Sequence, residues 1–147
     1  MPEPTPDGWF HHAVAVRPSD IAGRGLFTTE ELPAGTVVLR LAAGPGDGGR
    51  VDLLGTGFPN HCCDPNLGWV DDHSLATMVD VPAGGELVAD YAMSTLEPGW
   101  FLRCHCPSYR CRQMVEGTDW RIPQLQRRYA GWWSPAVRRL VEATGTA

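Results

Sequence analysis

Cys104-His105-Cys106-Pro107-Ser108-Tyr109-Arg110-Cys111 holds three of the chain's five cysteines, and a fourth candidate stands about forty residues earlier in Asn60-His61-Cys62-Cys63-Asp64-Pro65-Asn66. An odd cysteine count with three thiols clustered within eight residues fits metal binding in a reducing compartment better than a disulfide framework. With Cys63 added, Cys104, Cys106 and Cys111 form a tetrahedral thiolate set suited to Zn2+. Such an ion ties a C-terminal segment to the body of the fold.

Both stretches resemble signatures of one family, the SET-domain protein-lysine methyltransferases. Asn60 to Asn66 is similar to that family's Asn-His-Ser-Cys-x-Pro-Asn motif, with Cys62 where Ser is usual, and the cysteine-rich stretch resembles its post-SET Cys-x-Cys-x4-Cys. Two more matches lie in the same order. Gly23-Arg24-Gly25-Leu26-Phe27 resembles the glycine-rich cofactor turn, and Gly85-Glu86-Leu87-Val88-Ala89-Asp90-Tyr91 resembles the Gly-Glu-x-Leu-x-x-x-Tyr stretch that ends in the catalytic tyrosine.

The resemblance, which spans about residues 13 to 115, implies a β-clip-like fold of short strands with knot-like C-terminal threading and a zinc-pinned post-SET segment. It implies S-adenosyl-L-methionine as methyl donor and a protein lysine as acceptor. Tyr91 stands at the catalytic position, and Gly23, Arg24, Gly25, Asn60, His61, Tyr91, Phe101 and Leu102 at cofactor-binding positions. Cys63, Cys104, Cys106 and Cys111 are the metal ligands on this reading as well. Ala89 stands two before Tyr91, where relatives carry Phe or Tyr, so the number of methyl groups transferred does not carry over. Pro59 and Gly57 also depart from the family's usual residues.

The residues themselves carry parallel readings. A tyrosine ending a strand is ordinarily a core residue whose hydroxyl has found a partner. Asn-His before a proline-containing turn is ordinarily a capped bend, and His61 can either read an adenine edge or brace the loop. The glycines at 23 and 25 permit close approach of backbone to a ligand. Cys62 reads as an isosteric substitute for serine, with a spare ligand role as the lesser alternative.

With 147 residues and 43% hydrophobic content, the chain reads as one domain with a buried core. Residues 1–11 read as a flexible start, 12–99 as the SET-like body, 100–116 as the zinc segment and 117–147 as C-terminal helices packed on the core. The fold class expected is mainly β, or β-rich α+β. A net charge of −5 disfavours a nucleic-acid-coating surface and suits a basic, lysine-containing protein or peptide substrate. It also disfavours a zinc-ribbon nucleic-acid binder, as does Cys-x-Cys in place of paired Cys-x2-Cys. No apolar run is long enough to cross a bilayer and the first residues lack a secretory pattern, so no membrane partner is expected and the reading is cytoplasmic, or nuclear in a eukaryote. All 12 basic residues are arginine. Lysine's absence alongside 17 Gly and 13 Pro fits the codon bias of a GC-rich genome.

Alternation and turn residues predict strands over 12–16, 26–28, 36–41, 74–80 and 86–89. The near-identical Leu32-Pro33-Ala34-Gly35 and Val81-Pro82-Ala83-Gly84 read as turns in which Pro presets φ and Gly supplies φ > 0. Residues 42–49 read as loop, and the interval from there to Asn60 is too short for the helical subdomain that relatives insert there. Asp119 reads as the cap of a helix over 121–129, and Ser134-Pro135 as cap and first residue of a helix over 135–142. Trp120, Trp132 and Trp133 read as core payload, with an aromatic binding surface as the alternative.

Overall fold

The computed structural model describes residues 8–41 and 59–144. Ten short strands lie among them: β1 (Trp9–Phe10), β2 (Val14–Pro18), β3 (Arg24–Thr28), β4 (Val37–Arg40), β5 (Asn60–His61), β6 (Leu67–Trp69), β7 (Ser74–Thr77), β8 (Glu86–Ala89), β9 (Phe101–Arg103) and β10 (Met114–Glu116). Eight of them form one sheet in the order β1-β4-β7-β6-β8-β3-β2, with β5 added alongside β8, while β9 and β10 make a separate antiparallel ribbon. The expected mainly β class holds.

The two Pro-Ala-Gly turns do more than reverse the chain. Leu32 and Val81 exchange both main-chain hydrogen bonds at 2.8 Å, so the turns pair with each other. Gly35 at φ +88° and Gly84 at φ +86° occupy the left-handed region that other residues enter at a cost.

β8 is the organising strand. It pairs antiparallel with β3 on one side and in parallel with both β5 and β6 on the other. The loop between β5 and β6 is therefore fastened to β8 at each end. Asn66 makes the second fastening: its side chain accepts from Val88 N–H at 2.9 Å and donates to the Glu86 carbonyl at 2.8 Å, taking the place of a strand neighbour.

Leu26, Leu39, Leu67, Leu75, Leu87 and Met93 are fully enclosed in the main core. Trp120, Leu125, Tyr129, Trp133 and Val137 from the C-terminal region belong to the same core, and Trp132 packs against it. The core reading of the tryptophans thus holds. At Gly68 a Cβ would lie 2.6 Å from the Trp132 ring, so β6 has glycine where the tail crosses it. A second, smaller cluster gathers Cys62, Cys63, Val88, Cys104, Cys106 and Val115.

Several local expectations shift. The strand expected over 12–16 is β2, displaced because His11 and Ala13 form a turn in which His11 Nδ1 accepts the Ala13 N–H at 3.0 Å. Trp9–Phe10 within the N-terminal eleven residues pair with Leu39 and Arg40, and residues 1–7 lie outside the described residues, as does the expected loop over 42–49. Asp119 caps no helix. Arg112 takes its carboxylate at 3.0 Å; residues Asp119–Arg121 form a 3-10 turn, and α1 (Pro123–Arg128) starts at its proline without a side-chain cap. Ser134 does cap α2 (Pro135–Ala143), its hydroxyl accepting from Val137 N–H.

Candidate metal centre and the histidine–tyrosine cluster

The cysteine loop, residues 104–113, connects β9 to β10 and closes their hairpin. Cys104 leaves β9, its N–H donates to the Gln113 carbonyl at 2.8 Å, and the chain returns through Cys111 and Arg112 into β10. Cys63 reaches the same spot from the β5–β6 loop. The sulfurs of Cys63, Cys104, Cys106 and Cys111 all lie within 4.8 Å of one another, and three of the four residues are buried.

A tetrahedral zinc with metal–sulfur bonds of about 2.3 Å holds its thiolates roughly 3.8 Å apart. The Cys63 and Cys104 sulfurs stand 3.9 Å apart. Geometry and donor chemistry therefore both fit a four-thiolate metal ion such as zinc, held by the expected residues. Cys62 is outside the set, with its sulfur accepting from Asp64 N–H at 3.4 Å. Burial pushes the Cys62 thiol up to about 12 and Cys63 up to about 11, and Cys104 also rises. For Cys106 burial acts the same way but is outweighed by hydrogen bonds from the Cys63 and Ser108 backbone and from the Cys104 and Cys111 thiols, which bring it down to about 7. A divalent cation bound at the four sulfurs displaces the thiol protons.

Beside the thiols lies a buried polar cluster. His61, on β5, accepts the Tyr91 N–H at Nδ1 (3.0 Å) and sets Nε2 3.4 Å from Cys63 Sγ. Its ring meets Tyr91 edge to face with centroids 5.3 Å apart. Burial pushes His61 down to about 4, against a smaller upward pull from Asp90, so the ring is neutral at physiological pH. The ring thus braces the loop, one of the two roles open to it, by joining β5 to the turn at Tyr91.

Tyr91 follows β8 in a 3-10 turn (Tyr91–Met93) capped by the Asp90 side chain. Its hydroxyl donates to the Pro59 carbonyl at 2.6 Å. Asn60 Nδ2 is directed to the Ala22 carbonyl (3.0 Å), the Arg24 carbonyl (3.2 Å) and Glu86 Oε2 (3.1 Å), so its amide hydrogens brace the Gly23–Gly25 turn. The two glycines differ. A Cβ on Gly23, at φ +44°, meets nothing within 4 Å, whereas one on Gly25 collides with the Glu86 carboxylate and Asn60. The turn is open at Gly23 and filled by the chain's own side chains at Gly25. Phe101 is exposed on β9, and Leu102 points inward to pack against both clusters.

Residues that motif reading passes over hold this arrangement. Asp90 is wholly buried and receives Arg112 Nη1 at 2.7 Å, Arg112 Nη2 at 3.0 Å and the Tyr129 hydroxyl at 2.8 Å. Arg112 also donates Nε to Asp119 and its backbone N–H to Cys63 Sγ at 3.3 Å. The nearest signal in the sequence is adjacency, since Arg112 follows the last cysteine and Asp90 precedes Tyr91. No helix among the described residues is long and apolar enough to cross a membrane. Neither the protein-family models nor the curated proteins include a match to this chain.

Proposed function

We propose that this chain is a small S-adenosylmethionine-dependent methyltransferase of the SET type, which methylates the ε-amine of a protein lysine. The observation that carries the reading is convergence. The Gly23–Gly25 turn, Asn60-His61, Tyr91 and the four cysteines are spread over some ninety residues, yet Asn60 bonds to the turn, His61 to Tyr91, and Cys63 to the cysteine loop. Fastening of the β5–β6 loop to β8 at both ends accords with the knot-like threading of that family. Chance motifs have no reason to meet at one place.

The bound donor supplies an electrophilic methyl on sulfur. The chain's part is to align an acceptor amine, exclude water and let the amine lose its proton, because lysine at a pKa of about 10.4 is protonated at neutral pH. Tyr91, buried between His61 and Trp100, is the hydroxyl assigned to orient the amine. Gly23, Arg24 and Gly25, with the backbone of Asn60 and His61, are assigned to the donor's binding, and Phe101 and Leu102 to its cover. Zinc at the four cysteines pins the segment carrying that cover. The substrate assigned is a basic, extended lysine-containing segment, which an acidic chain attracts and which main-chain pairing can hold with loose sequence selectivity.

A specific observation favours a second reading, a zinc-stabilised binding module without catalysis. The Tyr91 hydroxyl and the Asn60 amide hydrogens already have partners within the chain, and Ala89 leaves the position beside them small. Calorimetric titration with S-adenosylmethionine, followed by labelled-methyl transfer onto basic peptides and folded proteins, decides between the two. Donor uptake with labelled basic tails supports the transferase; absence of both leaves the module.

A further inference from the structure

His61 stands between two features that the preceding reading treats separately, the metal centre and the catalytic tyrosine. Its tautomer follows from its neighbours. The Tyr91 backbone N–H can only donate, so Nδ1, 3.0 Å away, carries a lone pair. A neutral imidazole then bears its hydrogen on Nε2, which faces Cys63 Sγ at 3.4 Å. A metal-bound thiolate can only accept. Both contacts are thus satisfied by one ring in one orientation, and His61 is buried, 4% exposed, with the Tyr91 ring set edge to face with it.

We infer that His61 is a positioning residue that couples the metal centre to the main chain at Tyr91, with Nε2–H donating to the Cys63 sulfur and Nδ1 accepting the Tyr91 N–H. Cys63 is also the sulfur that receives the Arg112 N–H, so it carries two N–H donors, from parts of the chain far apart in sequence. Hydrogen bonds to a ligating thiolate withdraw charge from it and fix its direction. Loading the centre therefore sets the imidazole, and the imidazole sets the amide from which the Tyr91 side chain springs. The inference rests on the metal-centre reading and does not require the transferase reading.

The test substitutes 113Cd for zinc in the 15N-labelled full chain. The His61 ring should show a protonated Nε2 and a bare Nδ1, with scalar coupling between the Nε2 hydrogen and the cadmium. The reverse tautomer, or coupling at the Arg112 amide with none at His61, overturns the inference. Failure to take up cadmium overturns the metal centre itself and leaves the transferase question to donor titration. Cobalt-loaded variants give the second arm. His61→Phe should keep one metal per chain, move the sulfur-to-cobalt charge-transfer band to lower energy and shift the Tyr91 amide resonance. His61→Gln, which retains a donor near Nε2, should restore the band alone; His61→Asn, with an acceptor near Nδ1, should restore the amide alone. Identical spectra in all three variants overturn the coupling. If a variant fails to fold, the wild-type cadmium measurement still decides.

Discussion

Arg112 holds Asp90 with both guanidinium arms, at 2.7 and 3.0 Å, while its backbone N–H points at the sulfur of Cys63. One residue thereby joins the strand end before Tyr91, the cysteine loop and, through Asp119 and Tyr129, the C-terminal region. Removing one partner from a buried ion pair leaves a charge uncompensated and typically costs about 3–5 kcal/mol. Asp90→Asn and Arg112→Met should each lower unfolding free energy by that order in denaturant titrations, and the double variant should lose less than the sum of the two.

Acid should reveal the same pair. Burial alone would raise the Asp90 carboxyl, but the hydrogen bonds and charge of Arg112, helped by His61 and the Ala92 N–H, hold it below the usual carboxylate range. A depressed carboxyl stabilises the fold above its ordinary pKa of about 4 and loses that contribution as pH falls through the lower folded value. The stability gap between wild type and Asp90→Asn should stay constant near neutrality and narrow below about pH 4. A gap that widens on acidification would contradict the assignment.

Metal stoichiometry should follow the sulfur set. Wild type should bind one zinc, Cys111→Ser should lower that value, and Cys62→Ser should leave it near one by elemental analysis. Structural zinc at thiolates contributes an apparent ~10–16 kcal/mol at neutral pH, far more than any single ion pair. Its removal should nevertheless open the loop 104–111 and spare α1 and α2, whose Leu125, Tyr129 and Val137 sit in the main core. Hydrogen exchange before and after chelation locates the change.

Tyr91→Phe should retain S-adenosylmethionine affinity and lose turnover, because the hydroxyl is assigned to the amine near the transition state. It should also cost about 1 kcal/mol in stability, as the buried Pro59 carbonyl loses its donor. Asn60→Ala should weaken donor binding by releasing the Gly23–Gly25 turn that its amide braces. Titration of both variants separates the two roles.

At Gly68 the tail leaves no room for a side chain, since an added Cβ would lie 2.6 Å from Trp132 Cε3 and 2.7 Å from its Cβ. Gly68→Ala should therefore destabilise by about 1–3 kcal/mol and increase proteolysis after residue 117. Retained resistance would show that the tail contacts the sheet less tightly.

Features with a local cause were legible in the sequence. The gathering of three cysteine sulfurs from eight residues, the φ > 0 glycines at 35 and 84, and the Ser134 cap before Pro135 each depend on a few neighbouring residues, and each stands as read. The strands β1, β5, β6, β9 and β10 escaped because two or three residues carry no periodicity; their pairing partners, not their composition, make them strands. Asp119 misled for a related reason. Its local pattern is that of a cap, but an arginine seven residues earlier offers a charged, half-buried partner, and a charge-assisted bond outweighs a cap.

The sequence alone determined the mainly β class, the cluster of three cysteines within eight residues and the short C-terminal helices, because propensity, turn chemistry and close spacing act over a few residues. Only the tertiary structure decided that the two Pro-Ala-Gly turns pair, that the Asn60 amide braces the Gly23–Gly25 turn, and that Asp90 and Arg112 bind beneath the thiols. It alone set the His61 ring between Cys63 and Tyr91. Those contacts join residues tens of positions apart, and their partners are chosen when β8 brings the segments together, at a distance where local sequence exerts no force.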